Sequence, residues 1–170
     1  NILEIEFLTH QRVRNEKADM LYKISPQIFQ NNVLAFIGIN ASGKTTTLKV
    51  ISFVIQMLNN EPINKIKGNE VLNGITGKEK IDIETYFSVA SDKVYKLLTT
   101  IKKDEKSNEA ENEYVIVEEK IWSKDIKSIK TRKSLFEFDK LSPIQIRKGD
   151  EEYLPEDVSI VIAFNKKNNT

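Results

Sequence analysis

The chain opens on an alternation. In Ile2-Leu3-Glu4-Ile5-Glu6-Phe7-Leu8, the side chains of Leu3, Ile5 and Phe7 fall on one side and Glu4 and Glu6 on the other, the period of a half-buried strand. A polar stretch from Thr9 to Asp19 follows. A second short strand is predicted over Met20 to Ser25, after which Pro26 and Asn31-Asn32 bracket a turn. Val33-Leu34-Ala35-Phe36-Ile37 is continuously apolar, the pattern of a central strand covered on both faces. After Gly38 to Thr45, the residues Leu48, Ile51, Val54, Ile55 and Leu58 recur at helical spacing, until Asn59-Asn60 and Pro62 end the helix.

Residues 61–79 are polar and contain Gly68, Gly74 and Gly77, which predicts a flexible connection. Lys80 to Ser88, Lys93 to Lys102, Tyr114 to Trp122 and Leu135 to Phe138 then read as strands, with the charged stretch Lys103 to Glu113 as a hairpin tip. Val158 to Phe164 closes the pattern as a strand or a short helix. The expected fold class is therefore α/β, with a mixed sheet around the helix followed by an antiparallel β-meander rather than repeated βαβ units. Residues 1–60 form the N-terminal part of the core, 61–79 the connection and 80–165 the antiparallel subdomain. No internal repeat is evident.

Composition limits the chemistry. The chain has 170 residues, 39% hydrophobic and 30% charged, enough for one domain or lobe with a sizeable core. Its 26 Lys and Arg against 25 Asp and Glu give a net charge of +1, so overall charge makes no case for nucleic acid or a membrane. The lack of cysteine excludes a disulfide scaffold, a thiolate metal site and a cysteine nucleophile. One histidine, His10, argues against a His-based metal site or a Ser-His-Asp triad. The apolar runs are too short to span a bilayer and no signal peptide is visible, so a cytoplasmic setting without a membrane partner is expected. The chain starts at Asn1 inside a strand-like run and stops in the polar tail Asn165 to Thr170, which points to one incomplete domain of a longer protein.

Gly38-Ile39-Asn40-Ala41-Ser42-Gly43-Lys44-Thr45 satisfies the phosphate-loop (Walker A) pattern G-x-x-x-x-G-K-[ST] in full. A polyphosphate must lie against main chain, which calls for glycine where a side chain would collide or φ must be positive. Successive N–H groups then form an anion nest, and the helix that starts there adds its unpaired first-turn donors and the positive end of its dipole. Lys44, the candidate catalytic residue, can reach the β- and γ-phosphates, and the Thr45 hydroxyl can ligate Mg²⁺. Thr46 can donate to the α-phosphate. In a chain with only six glycines, a chance match is on the order of one in a hundred or less.

With Asn40 and Ser42 inside it, the loop resembles that of ABC-type ATPases, including the SMC and recombination-protein heads and the overcoming-lysogenization-defect nucleases. The run VLAFIGINASGKTTTLKVI, residues 33–51, is similar to bacterial proteins grouped as AAA family ATPases, whose heads are ABC-like. The close resemblance covers residues 33–58 and a looser one 1–165. It implies the N-terminal lobe of a P-loop NTPase of ABC-like type, with ATP and Mg²⁺ as cofactors. It also implies a head-to-head homodimer in the full-length protein, and an ATP cycle that drives a conformational change in DNA maintenance or phage defence, with DNA or an effector protein as partner. The family's metal-contacting glutamine maps to Gln145, an ordinary loop glutamine being the alternative. Its adenine-stacking aromatic could be Phe7, His10 or Tyr22, each equally readable as core or surface, and Arg12 and Arg14 sit where similar heads use basic residues. Two family elements have no counterpart: an LSGGQ-like signature and an apolar strand ending in Asp-Glu. Tyr114-Val115-Ile116-Val117-Glu118-Glu119 imitates the latter, but with Glu in place of the Asp it reads as a meander strand with a solvated acidic end.

Three rival readings compete with this one. Asn165-Lys166-Lys167-Asn168 imitates the N-K-x-D of G proteins, yet an amide cannot accept both guanine donors, and no D-x-x-G precedes it. Lys120 to Lys133 carries six basic residues and Trp122, enough for a nucleic-acid-binding segment or for a solvated hairpin edge. An ABC transporter subunit would return to its glutamine loop without the roughly one hundred intervening residues from Lys44 to Gln145 seen here.

Overall fold

The computed structural model describes residues 2–9, 13, 20–41, 43–88, 92–104, 113–147 and 154–161. Its elements are β1 (Tyr22–Ser25), β2 (Ile28–Gln30), α1 (Lys44–Leu58), β3 (Lys80–Ser88), β4 (Lys93–Lys103), β5 (Tyr114–Asp125), α2 (Arg132–Phe136) and β6 (Gln145–Ile146). A four-stranded antiparallel sheet in the order β3-β4-β5-β6 forms the body, and β1 and β2 make a separate hairpin. Among the described residues no helix is long and apolar enough to cross a membrane.

The meander follows from alternation. Ile81, Ile83 and Phe87 of β3 stand opposite Ile101, Thr99 and Tyr95 of β4, so one face is apolar across the pair. On β5 the period is interrupted. Thr100 pairs with Glu118 and Ile101 with Ile116, which leaves Val117 as the extra residue of a bulge. That one-residue shift brings Tyr114 and Ile116 onto the same inner face as Glu119 and Ile121. Without it, half of the strand's apolar side chains would point the other way.

The inner face carries the main core. Leu97, Ile101, Tyr114 and Ile121 from the sheet join Phe53 and Met57 of α1, and Ile160 and Val161 close the cluster. Residues 61–79, expected to be a flexible connection, are instead folded into it. Ile63, Ile66, Leu72 and Ile75 are all buried, and a 3₁₀ turn at Asn69–Leu72 shapes the segment. These four apolar residues are too widely spaced to make an element by themselves, but each finds the sheet. A second core lies on the outer face at the opposite end, where Val94 meets Leu8, Ile28, Ile129, Leu135 and Phe138.

Five expectations are corrected. The strand expected over residues 2–8 is reduced to one bridge, Leu8 to Gln30, flanked by Thr9 N–H to Phe29 O (2.9 Å) and Asn31 N–H to Phe7 O (2.8 Å). The turn after β1 occupies only Pro26-Gln27, which frees Ile28–Gln30 to pair as β2. Residues 33–37 pair with no strand among the described residues, and Val33 and Ile37 are 84% and 93% exposed. Every pairing among the described residues is antiparallel, so the mixed sheet expected around the loop is not formed there. A continuous apolar run becomes a buried strand only where neighbours supply both hydrogen bonds and cover. Finally, Leu135 and Phe136 end a short helix rather than start a strand. Thr131 accepts from Ser134 N–H while the Ser134 hydroxyl accepts from Thr131 N–H, and this capping box starts α2.

The helix itself forms where expected, and Val54 and Leu58 of the expected stripe pack against the core. Phe53 and Met57 face the sheet, whereas Leu48 and Ile55 of the expected stripe are about half exposed. α1 is apolar on two stripes, and the sheet covers one. The hairpin tip expected over 103–113 is closed by Asp104 N–H to Glu113 O (2.8 Å) and by a Lys103–Glu113 ion pair (2.8 Å), with 105–112 outside the described residues. Of the run Val158 to Phe164, residues 158–161 are described.

Two predictions follow from this packing. Phe53→Ala should cost about 3–5 kcal/mol in urea unfolding, against less than about 0.5 kcal/mol for Leu48→Ala; the reverse order would mean that the other stripe is the buried one. On the outer face, the Tyr86 hydroxyl donates to Glu84 (2.5 Å), and its ring meets Phe136 edge-on with centroids 4.9 Å apart. Burial, and then the Glu84 carboxylate, push the Tyr86 phenol above its usual value. Because the native value is the higher one, the associated stability is present below about pH 10 and is lost as pH rises through the native value. Absorbance titration should show a late-ionising phenol that Tyr86→Phe removes, and the alkaline loss of stability should shrink with it.

Candidate functional site

The phosphate loop leaves the exposed run 33–39, turns at Asn40-Ala41 and enters α1. Two residues make the turn possible. Gly43, at the N-cap of α1, has φ +81°, and Ala41 has φ +61°. A Cβ built on Gly43 would meet nothing within 4 Å, so the glycine is required by its left-handed backbone and not by a close approach. Ala41 tolerates the same region at a strain of order 1 kcal/mol, the sort of local cost that functional loops carry.

The start of α1 is left open. No side chain caps it, and its first turn holds no acidic residue, so its positive end faces outward without a built-in counter-charge. The Lys44 ammonium curls back over the loop and donates to Gly38 O and Ile39 O at 2.6 Å each. It therefore stands across the loop at the point where an anion would enter. Thr47 turns inward, its hydroxyl donating to Gly43 O at 3.0 Å. Thr45 and Thr46 are exposed, and their hydroxyls make no hydrogen bond to any described residue. Ser42 lies outside the described residues.

Backbone donors in a left-handed turn, one ammonium and a free hydroxyl one residue on make a donor set that fits a phosphate tail and one ligand position of a hard cation such as Mg²⁺. A full cation site is not assembled: among the described residues no group of three or more His, Asp or Glu side chains could hold a metal ion. On the flank of α1, Lys49 pairs with Glu70 at 2.6 Å. Hydrogen bonding by Lys49 holds the Glu70 carboxyl below its ordinary value.

The other residues named from sequence distribute as follows. Gln145 lies in β6 opposite Ile121, which puts it on the inner, α1-facing side of the sheet. It makes no hydrogen bond to Lys44 or Thr45. Phe7 and Tyr22 are partly exposed near the bridge and hairpin. His10, Arg12, Arg14 and the tail 165–168 lie outside the described residues.

The acidic pair expected to end a strand lies in the middle of β5, and its second member is not solvated as expected. Glu119 is 0% exposed and accepts from Thr99 Oγ1 (2.9 Å), Ser159 Oγ (2.8 Å) and Ile160 N–H (2.8 Å), with Arg147 Nε at 3.4 Å. A carboxylate so engaged is not available to orient a metal. Glu118, on the outer face, pairs with Lys120. This buried cluster was missed from the sequence, where its signal was a single Glu at a core-facing position of an apolar strand. The bulge at Val117 hid that position's phase.

The basic segment 120–133 is largely spoken for. Lys120 pairs with Glu118, Arg132 with Glu6 and Lys133 with Glu137. Lys124 donates to Ser134 O and Glu137 O and sits 4.0 Å from the Phe138 ring centroid, and burial lowers its pKa. Trp122 packs against the outer core, with Lys96 5.6 Å from its ring centroid. Four of the six basic side chains are thus engaged within the fold, three of them in ion pairs.

Gly43→Ala should lower stability by about 1–2 kcal/mol, read as an earlier urea midpoint, through its φ alone. An unchanged midpoint would mean that the loop does not hold Gly43 left-handed in solution.

No curated protein and no solved structure matches the chain. The family model described as "AAA domain, putative AbiEii toxin, Type IV TA system" matches residues 33–157, from the apolar run before the loop to the segment that packs against β5. That span holds the phosphate loop, α1 and the whole meander, and it places the chain in that family of P-loop AAA-type ATPase domains.

Proposed function

We propose that residues 38–46 bind the triphosphate of ATP, in the N-terminal lobe of an ABC-like head of the SMC, recombination-protein or overcoming-lysogenization-defect kind. The loop geometry carries the reading: a left-handed glycine opens an uncapped 15-residue helix while Lys44 spans the loop. Gly38, Asn40, Ala41, Ser42 and Gly43 offer main chain to the phosphates, and Lys44 meets the β- and γ-phosphates. Thr45 ligates Mg²⁺ and Thr46 donates to the α-phosphate. Gln145, already on the α1 side of the sheet, is the second metal contact. The bound cation would neutralise charge between the terminal phosphates.

With Glu119 committed to its buried partners, the metal-orienting acid must come from outside the described residues. We assign it to the remainder of a head that closes head-to-head with a second copy in the cytoplasm. The ATP cycle then drives a conformational change that gates an effector protein or acts on DNA. The toxin in the family's description favours the effector. The matched charges of 120–133 weigh against a nucleic-acid-binding module, and the long meander against a transporter subunit.

Calorimetric titration tests the loop. The chain should bind Mg·ATP, and Lys44→Ala should lose a charge-assisted contact of about 1.5–3 kcal/mol, roughly 10- to 100-fold in affinity. Equal affinity in the two proteins would remove the loop from the site. Turnover by the 170-residue chain should be negligible, and rapid turnover would show that the acid lies within it.

A further inference from the structure

On the inner sheet face Glu119 of β5 and Arg147, next to β6, are buried together, their side chains 0% and 7% exposed. Burying two charges is expensive, and a hydrophobic pair would serve cohesion at least as well. What the pair does is visible in its contacts. β6 is two residues long, and its ladder with β5 is flanked by backbone bonds from Ile144 N–H to Ile121 O (2.7 Å) and from Arg147 N–H to Glu119 O (2.8 Å). So short an edge strand specifies its own register weakly. The Arg147 side chain supplies the missing hold: it reaches Glu119 on β5 and donates to Val158 O and Pro155 O. Glu119 in turn holds Ser159 and Ile160. The same segment is tied to the turn after α1 by Ile63 N–H to Asp157 O (2.8 Å), and its Ile160 shares a core with Phe53 and Met57 of α1.

We propose that Glu119 and Arg147 are positioning residues, whose buried pair fixes the register of β6 so that Gln145 stands on the α1 side of the sheet. Fixing register is the best-attested use of a buried ionic pair. The functional consequence rests on the phosphate-loop reading above; the structural one does not.

The test uses the full chain carrying Glu119→Gln with Arg147→Met. This double change removes both charges together and leaves an amide oxygen to accept from Thr99 and Ser159. Hydrogen exchange should show the amides of residues 144–147 losing at least tenfold protection while those of β4 keep theirs. ATP affinity measured without metal should stay at the wild-type value, and the gain on adding Mg²⁺ should fall. Gln145→Ala should reduce the gain by the same factor, with no further loss when combined with the double change. A merely structural role would weaken metal-free binding in step with stability. Unchanged exchange at 144–147, or an undiminished Mg²⁺ gain, would overturn the proposal. Should the double variant not fold, Arg147→Lys serves, since it keeps the charge but not the reach to Pro155 and Val158, and the same exchange result decides. If the wild type binds no ATP, the phosphate-loop reading falls, and exchange at 144–147 alone decides on the anchor.

Discussion

One apolar sheet face holds the described structure together. Leu97, Ile101, Ile121 and Tyr114 give α1, the 61–79 segment and residues 158–161 a common surface. An isolated 15-residue helix with only modest amphipathicity would be marginal in water, so α1 persists because Phe53 and Met57 are buried there. The phosphate loop inherits its position from that contact. It grows from the N-terminal end of a helix whose later turns are clamped, so the base of the site is fixed while its tip stays open to solvent.

The face is completed by a register shift. Without the extra residue at Val117, Tyr114 and Ile116 would turn outward and the clamp on α1 would lose one end. The bulge also places Glu119 inward, where a carboxylate is tolerated only because three donors and a guanidinium meet it. The same geometry explains why β5 resembles a metal-binding strand in sequence and yet offers no acid to a metal: its inward Glu is consumed by the fold, and its outward Glu118 is paired with Lys120.

The loop and the meander were legible for different reasons. The loop needs particular residues at particular spacings, because φ at Gly43 and the reach of Lys44 are local properties. The three long strands were legible because nine or more residues of near-alternation average out single exceptions. Where pattern length fell to three or four residues, reading failed. Leu135-Phe136 looked extended until the Thr131 cap made it helical, and Ile28–Gln30 was hidden inside what looked like one turn. In the segment that suggested a basic surface, Lys120, Arg132 and Lys133 proved to be paired with Glu118, Glu6 and Glu137, residues near to or far from them in the chain.

By itself the amino-acid order determined the phosphate-loop motif, the helix behind it and the meander of β3, β4 and β5, since each is set by bonds or periodicities spanning a few neighbours. Only the tertiary structure decided which stripe of α1 is buried, that 61–79 is core, that Glu119 is enclosed and that 33–37 lies uncovered. Those outcomes depend on which surfaces meet, and a side chain's burial is a property of its neighbours in space. Apolar stripes on both sides of α1 and an apolar run with no strand beside it are equally strong signals in one dimension, and three-dimensional cover distinguishes them.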